Sequence, residues 1–135
     1  MISYKDILQD LYTAVKDICQ KTYLQDRPKS ISDKIDSYAV IAAPFRIYNR
    51  VMESRFDYDY MRTTVQIAIF VRNRTNAANL DQVNINAIDE KVKALMEKFP
   101  IKGSRVMCDK PSMLAGGDDE SGFHYVLVHA SLRIL

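Results

Sequence analysis

The residues that could do chemistry are few and scattered. The chain has two histidines, His124 and His129, and two cysteines, Cys19 and Cys108. Acids gather at Asp118, Asp119 and Glu120, with Asp109 upstream. Carboxylates beside a histidine are the material of a metal site or of general acid–base hydrolysis. The spacing argues against both. The acids do not follow the D-x-[DN]-x-[DN]-G order, with a later Glu, of an EF-hand loop. His124 and His129 stand an odd number of residues apart on one strand-like stretch, which sends their side chains to opposite faces. They therefore share no metal and form no relay. Cys19 and Cys108 make no C-x-x-C pattern and have no local histidine partner. They read as free, buried thiols from a reducing compartment. Gly116-Gly117 is expected to serve a turn with positive φ. No Gly-rich fingerprint joins a strand to a helix, and G-K-[ST] is missing, so a phosphate role has no support. The acidic stretch then reads as a solvated hairpin loop. No catalytic residue, metal ligand or cofactor is assigned, and the chain reads as a non-enzyme. The rival is a small hydrolase or metal enzyme. It requires Asp109, Asp118, Asp119 and His124 to converge in one pocket.

A second chemistry is recognition. Phe45 to Arg74 carries six arginines and six aromatics against Glu53, Asp57 and Asp59. Arginine with tyrosine and phenylalanine is typical of protein interfaces, and also of surfaces that stack single-stranded nucleic acid. An ordinary amphipathic hairpin with a solvated outer face has the same composition. The residues expected to carry an oligomer interface are Phe45, Arg46, Tyr48, Arg50, Arg55, Phe56, Tyr58, Tyr60, Arg72 and Arg74. The alternative is a small single-domain nucleic-acid-binding protein that uses the Arg and aromatic residues of 45–74. That alternative predicts a basic stripe and salt-sensitive affinity.

These residues must be positioned by regular elements. Met61 to Asn73 is the clearest strand. Val65, Ile67, Ile69 and Val71 alternate with Thr64, Gln66, Ala68 and Phe70, the period of a pleated strand. Ser3-x-x-Asp6 opens a helix as a capping box, with Ile2 and Ile7 at the staple positions. Ile7, Leu8, Leu11, Ala14, Val15 and Ile18 form its apolar stripe, and it is expected to run to about Tyr23. Pro28 to Ser37 is a polar connector. Tyr38 to Ala43 is a short strand covered on both faces, ended by Pro44. Phe45 to Tyr60 folds as a strand, a turn near Glu53-Ser54 and a return strand, giving a protruding hairpin. A second helix spans Leu80 to Phe99, with Ile85, Ile88, Val92, Leu95, Met96 and Phe99 facing the core, and stops at Pro100. Arg105 to Asp109 is a short strand, Lys110 to Gly122 a loop, and Phe123 to Leu135 the last strand.

The 135 residues fit one domain, with 47% hydrophobic and 27% charged residues. The net charge of +2 gives no electrostatic case for nucleic acid or a membrane surface. Nothing resembles a signal peptide, and no apolar run approaches the roughly 18 residues of a membrane span. A cytoplasmic protein, or a particle assembled in the cytoplasm, is expected. The fold class expected over residues 1–135 is α+β. Its sheet is mixed, mainly antiparallel and of four to five strands. Two main helices pack on one face, and a β-hairpin protrudes.

This order of elements resembles the tail terminator, or tail completion, family of long-tailed bacteriophages and prophages. The resemblance rests on the N-terminal amphipathic helix, the strand Tyr38-Ala39-Val40-Ile41 and the long strand Thr64 to Val71. It continues through the helix Val83 to Phe99 and the closing strand Phe123 to Val128, after an acidic loop containing glycine. The Phe45 to Tyr60 segment is longer than the family pattern. The resemblance implies a virion tail protein assembled in the bacterial cytoplasm, with no cofactor. It implies a homo-oligomeric ring, commonly a hexamer, that caps the tail tube and docks the head-completion or connector protein. DNA passes through such a ring without sequence recognition.

Overall fold

The computed structural model describes residues 4–42, 48–51, 58–73, 82–104 and 106–134. In chain order the elements are α1 (Tyr4–Val15), β1 (Lys21–Leu24), β2 (Ser37–Ala42), β3 (Tyr48–Val51), β4 (Tyr58–Arg72), α2 (Gln82–Met96), β5 (Ile101–Lys102), β6 (Val106–Asp118) and β7 (Phe123–Ile134). The strands form one curled mixed sheet in the order β1-β2-β4-β7-β6-β5, with β3 also paired to β4. Only β1–β2 is parallel; the other pairings are antiparallel.

This corrects the expected fold class. The domain is mainly β, with seven strands rather than four to five. Three stretches account for the difference. Helix α1 stops at Val15, where the apolar stripe thins, and Lys21–Leu24 becomes an edge strand. Gln20 fixes that change of direction. Its Oε1 accepts from the Asp36 and Ser37 N–H groups, and its own N–H donates to Ser37 Oγ at 3.2 Å. Ile101–Lys102, which carry no strand pattern of their own, pair with Cys108 and Met107. Finally, β6 continues to Asp118, through residues whose glycines and proline read as a loop.

Strand β6 can cross that stretch because it is bulged. Its register to β7 shifts between Asp109 and Ser112, and again between Leu114 and Gly117. Lys110, with φ of 53°, and Pro111 fall in the first irregularity, where no regular ladder bond is required of them. The second contains Gly116. Neither Gly116 nor Gly117 has the positive φ expected for a turn; that conformation belongs to Glu120 and Gly122. Gly116 is needed for closeness instead. A Cβ there would lie 1.5 Å from the Tyr125 carbonyl oxygen, whereas one on Gly117 would meet nothing within 4 Å.

The alternation in β4 builds two cores. Val65, Ile67, Ile69 and Val71 face one side, with Ala39 and Ile41 of β2 and Val128, Ala130 and Leu132 of β7. Both helices cover that side, through Ile7, Leu8, Leu11 and Val15 of α1 and Ile88, Val92 and Leu95 of α2. Each buried Val, Ile or Leu contributes about 1.5–3 kcal/mol. Cys19 and Cys108 are buried in this core as free thiols. Burial pushes their pKa values up to about 11 and about 12, which keeps both unreactive at neutral pH. The opposite side carries a smaller aromatic core of Tyr38, Val40, Ala68, Phe70 and Phe123. Strand β2 is thus covered on both faces, and its first four residues after Ser37 are all buried.

The two adjacent glycines provide a direct check on β6. Gly116→Ala should destabilise the protein by about 2–4 kcal/mol, because a strand must move. Gly117→Ala should stay within about 0.5 kcal/mol. Chemical denaturation of the two variants measures this, and equal midpoints would contradict the close β6–β7 approach.

Candidate functional site

Asp109, Asp118, Asp119 and His124 do not converge in one pocket: the groove that Asp118 and His124 line contains neither Asp109 nor Asp119. Asp109 pairs with Arg133 and sits opposite Ser131 on β7, whereas Asp118 lies opposite His124, at the other end of the hairpin. His124 is buried on the helix-covered face, and its Nδ1–H donates to Asn73 Oδ1. The same oxygen accepts from Asn84 Nδ2 at 3.2 Å, so one amide joins the ends of β4 and α2 to the start of β7. His129 lies on the opposite face, with Nε2 2.9 Å from Oε1 of Gln66, its cross-strand partner. Among the described residues no group of three His, Cys, Asp or Glu could hold a metal ion. None of their helices is long and apolar enough to cross a membrane.

Asp119 does not behave as a solvated acid. Its side chain is almost fully enclosed and pairs with Arg27 at 2.6 Å. It also accepts from the N–H groups of Ser121, at 2.8 Å, and Phe123, at 3.0 Å, and from the Ser121 hydroxyl at 2.8 Å. Burial acts to raise the pKa of this carboxyl. The bonds from Ser121 and Phe123 and the Arg27 charge outweigh it and hold the group below its ordinary value. Arg27 in turn stands 4.8 Å over the Phe70 ring. The loop acid therefore anchors a cation over the aromatic core.

Arg72 does similar work from β4. Its guanidinium lies 4.6 Å over the Phe123 ring and donates to the Ile35 and Ser32 carbonyl oxygens. It was expected at an oligomer interface; its Nε and Nη2 groups bond within the fold. Of the other expected interface residues, Phe45, Arg46, Arg55, Phe56 and Arg74 lie outside the described residues, as does the turn near Glu53-Ser54. Tyr48 and Arg50 lie on β3, and Tyr58 and Tyr60 on the part of β4 near it. There Tyr48 pairs with Arg62, and Val51 with Tyr58. Pairing of β4 with β7 begins only at Met61, opposite Ile134. Strand β3 and Tyr58–Tyr60 are thus gathered at one end of β4.

At the other end is a surface that residue patterns missed. Helix α2 and the β6–β7 hairpin enclose a groove of about 930 Å³. Ile85, Ile88, Val92 and Met96 come from the helix, Met113 from β6 and Val126 from β7. The principal core is open at this corner. Met113 is 59% exposed and Ile85 41%, and Val126 and Met96 are only partly buried. Ile85 had been expected in the core and Met113 in a loop. The available signal was the apolar face of α2, which extends past the residues the sheet can cover. Asp89, Glu97 and Asp118 rim the groove against one lysine, Lys93, which pairs with Asp89 at 3.0 Å. An apolar floor with a polar rim is the anatomy of a protein interaction surface.

No protein-family model matches this sequence, and no curated protein matches it either.

The Asp119 anchor has a pH signature. Its carboxyl is depressed in the folded state, so its stabilisation is full above the unfolded value of about 4. It is lost as pH falls through the folded value. Asp119→Asn should cost about 2 kcal/mol at neutral pH and flatten the loss of stability between neutral and strongly acid pH. Urea unfolding of both proteins across that range measures it. Parallel pH profiles would remove Asp119 as an anchor.

Proposed function

We propose that this protein is a structural assembly protein that works as a homo-oligomer. Its specific form is the terminator ring of a phage or prophage tail. The observation that carries this reading is the groove between α2 and the β6–β7 hairpin, whose occupant we take to be another copy of the chain. A small domain already covers its core with two helices, yet leaves Ile85 and Met113 exposed beside Val126. Filling such a surface is the ordinary driving force of association. A net charge of only +2 sets little self-repulsion against it.

The order of elements behind the tail terminator resemblance supplies the particular role. In it, a ring of this protein, commonly six copies, closes on the tail tube and stops its growth. The opposite face of the ring meets the head connector, and DNA passes through the lumen. A ring requires a heterologous interface, in which two different patches of each copy meet. The groove is one patch. The arginine-rich and aromatic segment that begins at Phe45 is the second.

Nucleic-acid recognition is the weaker reading. Arg72, one of the arginines it would use, is bound to Ile35, Ser32 and the Phe123 ring.

The test is solution mass by light scattering over a concentration series, with negative-stain imaging. Mass should rise to a closed oligomer without nucleic acid, and Phe56→Asp should return it to a monomer of unchanged circular dichroism. A wild-type protein that stays monomeric alone and in the presence of tail tubes would refute the reading.

A further inference from the structure

Strand β3 and the groove lie at opposite ends of the sheet. Pairing of β4 with β7 ends at Met61 and Ile134, and β3 lies beside that end of β4. The groove is lined by Val126, Tyr125 and His124, near the start of β7. About eight strand residues separate Ile134 from Val126, roughly 27 Å at the rise of a β-strand. Phe45 is three residues from Tyr48, and Phe56 two from Tyr58, a reach of about 10 Å or less, so the groove of the same molecule is beyond them.

The two patches are also chemically complementary. Phe45 to Phe56 contains Arg46, Arg50 and Arg55 against a single acid, Glu53, with Phe45, Tyr48 and Phe56 among them. The groove offers the apolar side chains of Ile85, Val92 and Met113, and its rim holds Asp89, Glu97 and Asp118. Aromatic rings pack well on methionine, and arginines pair with carboxylates. The only lysine on the rim already faces Asp89.

We infer that the groove between α2 and the β6–β7 hairpin receives the Phe45–Phe56 segment of a second copy. The aromatic side chains fill the apolar floor and the arginines meet Glu97 and Asp118. This rests on the proposal that the protein assembles with itself, and it adds which surfaces meet and in what direction. Strand β3, which lies within the donor segment, and the groove sit at opposite ends of the sheet, so docking runs head to tail and forms a ring where the rotation between copies closes. Reciprocal exchange between two antiparallel copies would close as a dimer instead.

The experiment combines light scattering and negative-stain imaging on the full chain. Met113→Glu and Glu97→Arg alter exposed groove positions, so both variants should keep the wild-type circular dichroism and melting temperature. Each should weaken association tenfold or more, a cost of about 1.4 kcal/mol or greater. Arg55→Glu combined with Glu97→Arg should restore part of the loss, as a charge swap across one contact requires. Wild-type rings unaffected by both groove variants would overturn this inference and leave the ring reading intact. A wild-type dimer that both variants dissociate would support the docking and overturn the ring. A wild-type protein monomeric at every concentration would overturn both.

Discussion

Tyr38 stacks on Phe70 with ring centres 4.5 Å apart on one face of the β2–β4 pair. On the other face Ile41 and Ile67 are buried under the helices. Water is excluded from both sides of the same two strands, and the remaining elements follow from that constraint. A strand pair buried on both faces cannot slip by one residue without exchanging its two cores. The helices satisfy one side. The other side is satisfied by connecting segments: Phe123 meets Tyr38 edge-on, and Arg27 and Arg72 lie over Phe70 and Phe123. Two guanidinium groups thus close the aromatic core at the point where a third helix would otherwise be needed. Their stems and planes cover apolar area, while their charges are held by Asp119 and by the Ser32 and Ile35 carbonyl oxygens.

How far the residues announced this depends on whether the determining contact is local. The alternation of β4, the double burial of β2 and the buried faces of α1 and α2 are written in period and composition, and all were legible. Strand β1 was not. Lys21–Leu24 has no strong pattern of its own and becomes a strand because β2 offers it a parallel edge. The continuation of β6 was hidden by Pro111, Gly116 and Gly117, which mark a loop unless a neighbouring strand tolerates bulges. The candidate groove was invisible for a related reason. Ile85 carries the right spacing for a core position, but the sheet beneath it ends too soon. The internal bonds of Arg72 were not legible either, because its partners Ser32 and Ile35 lie far from it in sequence. Asp119 likewise looked solvated until the cation at Arg27 was placed beside it, at a sequence distance no local pattern spans.

Six of the chemistry-bearing residues have structural work. The histidines join strand ends or cross-strand neighbours, the thiols are buried, and Asp109 and Asp119 hold arginines. Among the described residues, apolar surface remains exposed at one end of the sheet, at Ile85 and Met113.

The bulges of β6 carry a further consequence. Beyond Met107 and Cys108, the outer edge of this strand has no described strand paired to it. A long bare edge is normally a template for uncontrolled sheet growth. Here Lys110 and Pro111 occupy the first irregularity and the second follows Leu114, so only Ser112, Met113 and Leu114 form an uninterrupted run between the shifts. That run is too short to nucleate a stack of strands. The edge can remain uncovered without offering a continuous backbone template to another chain.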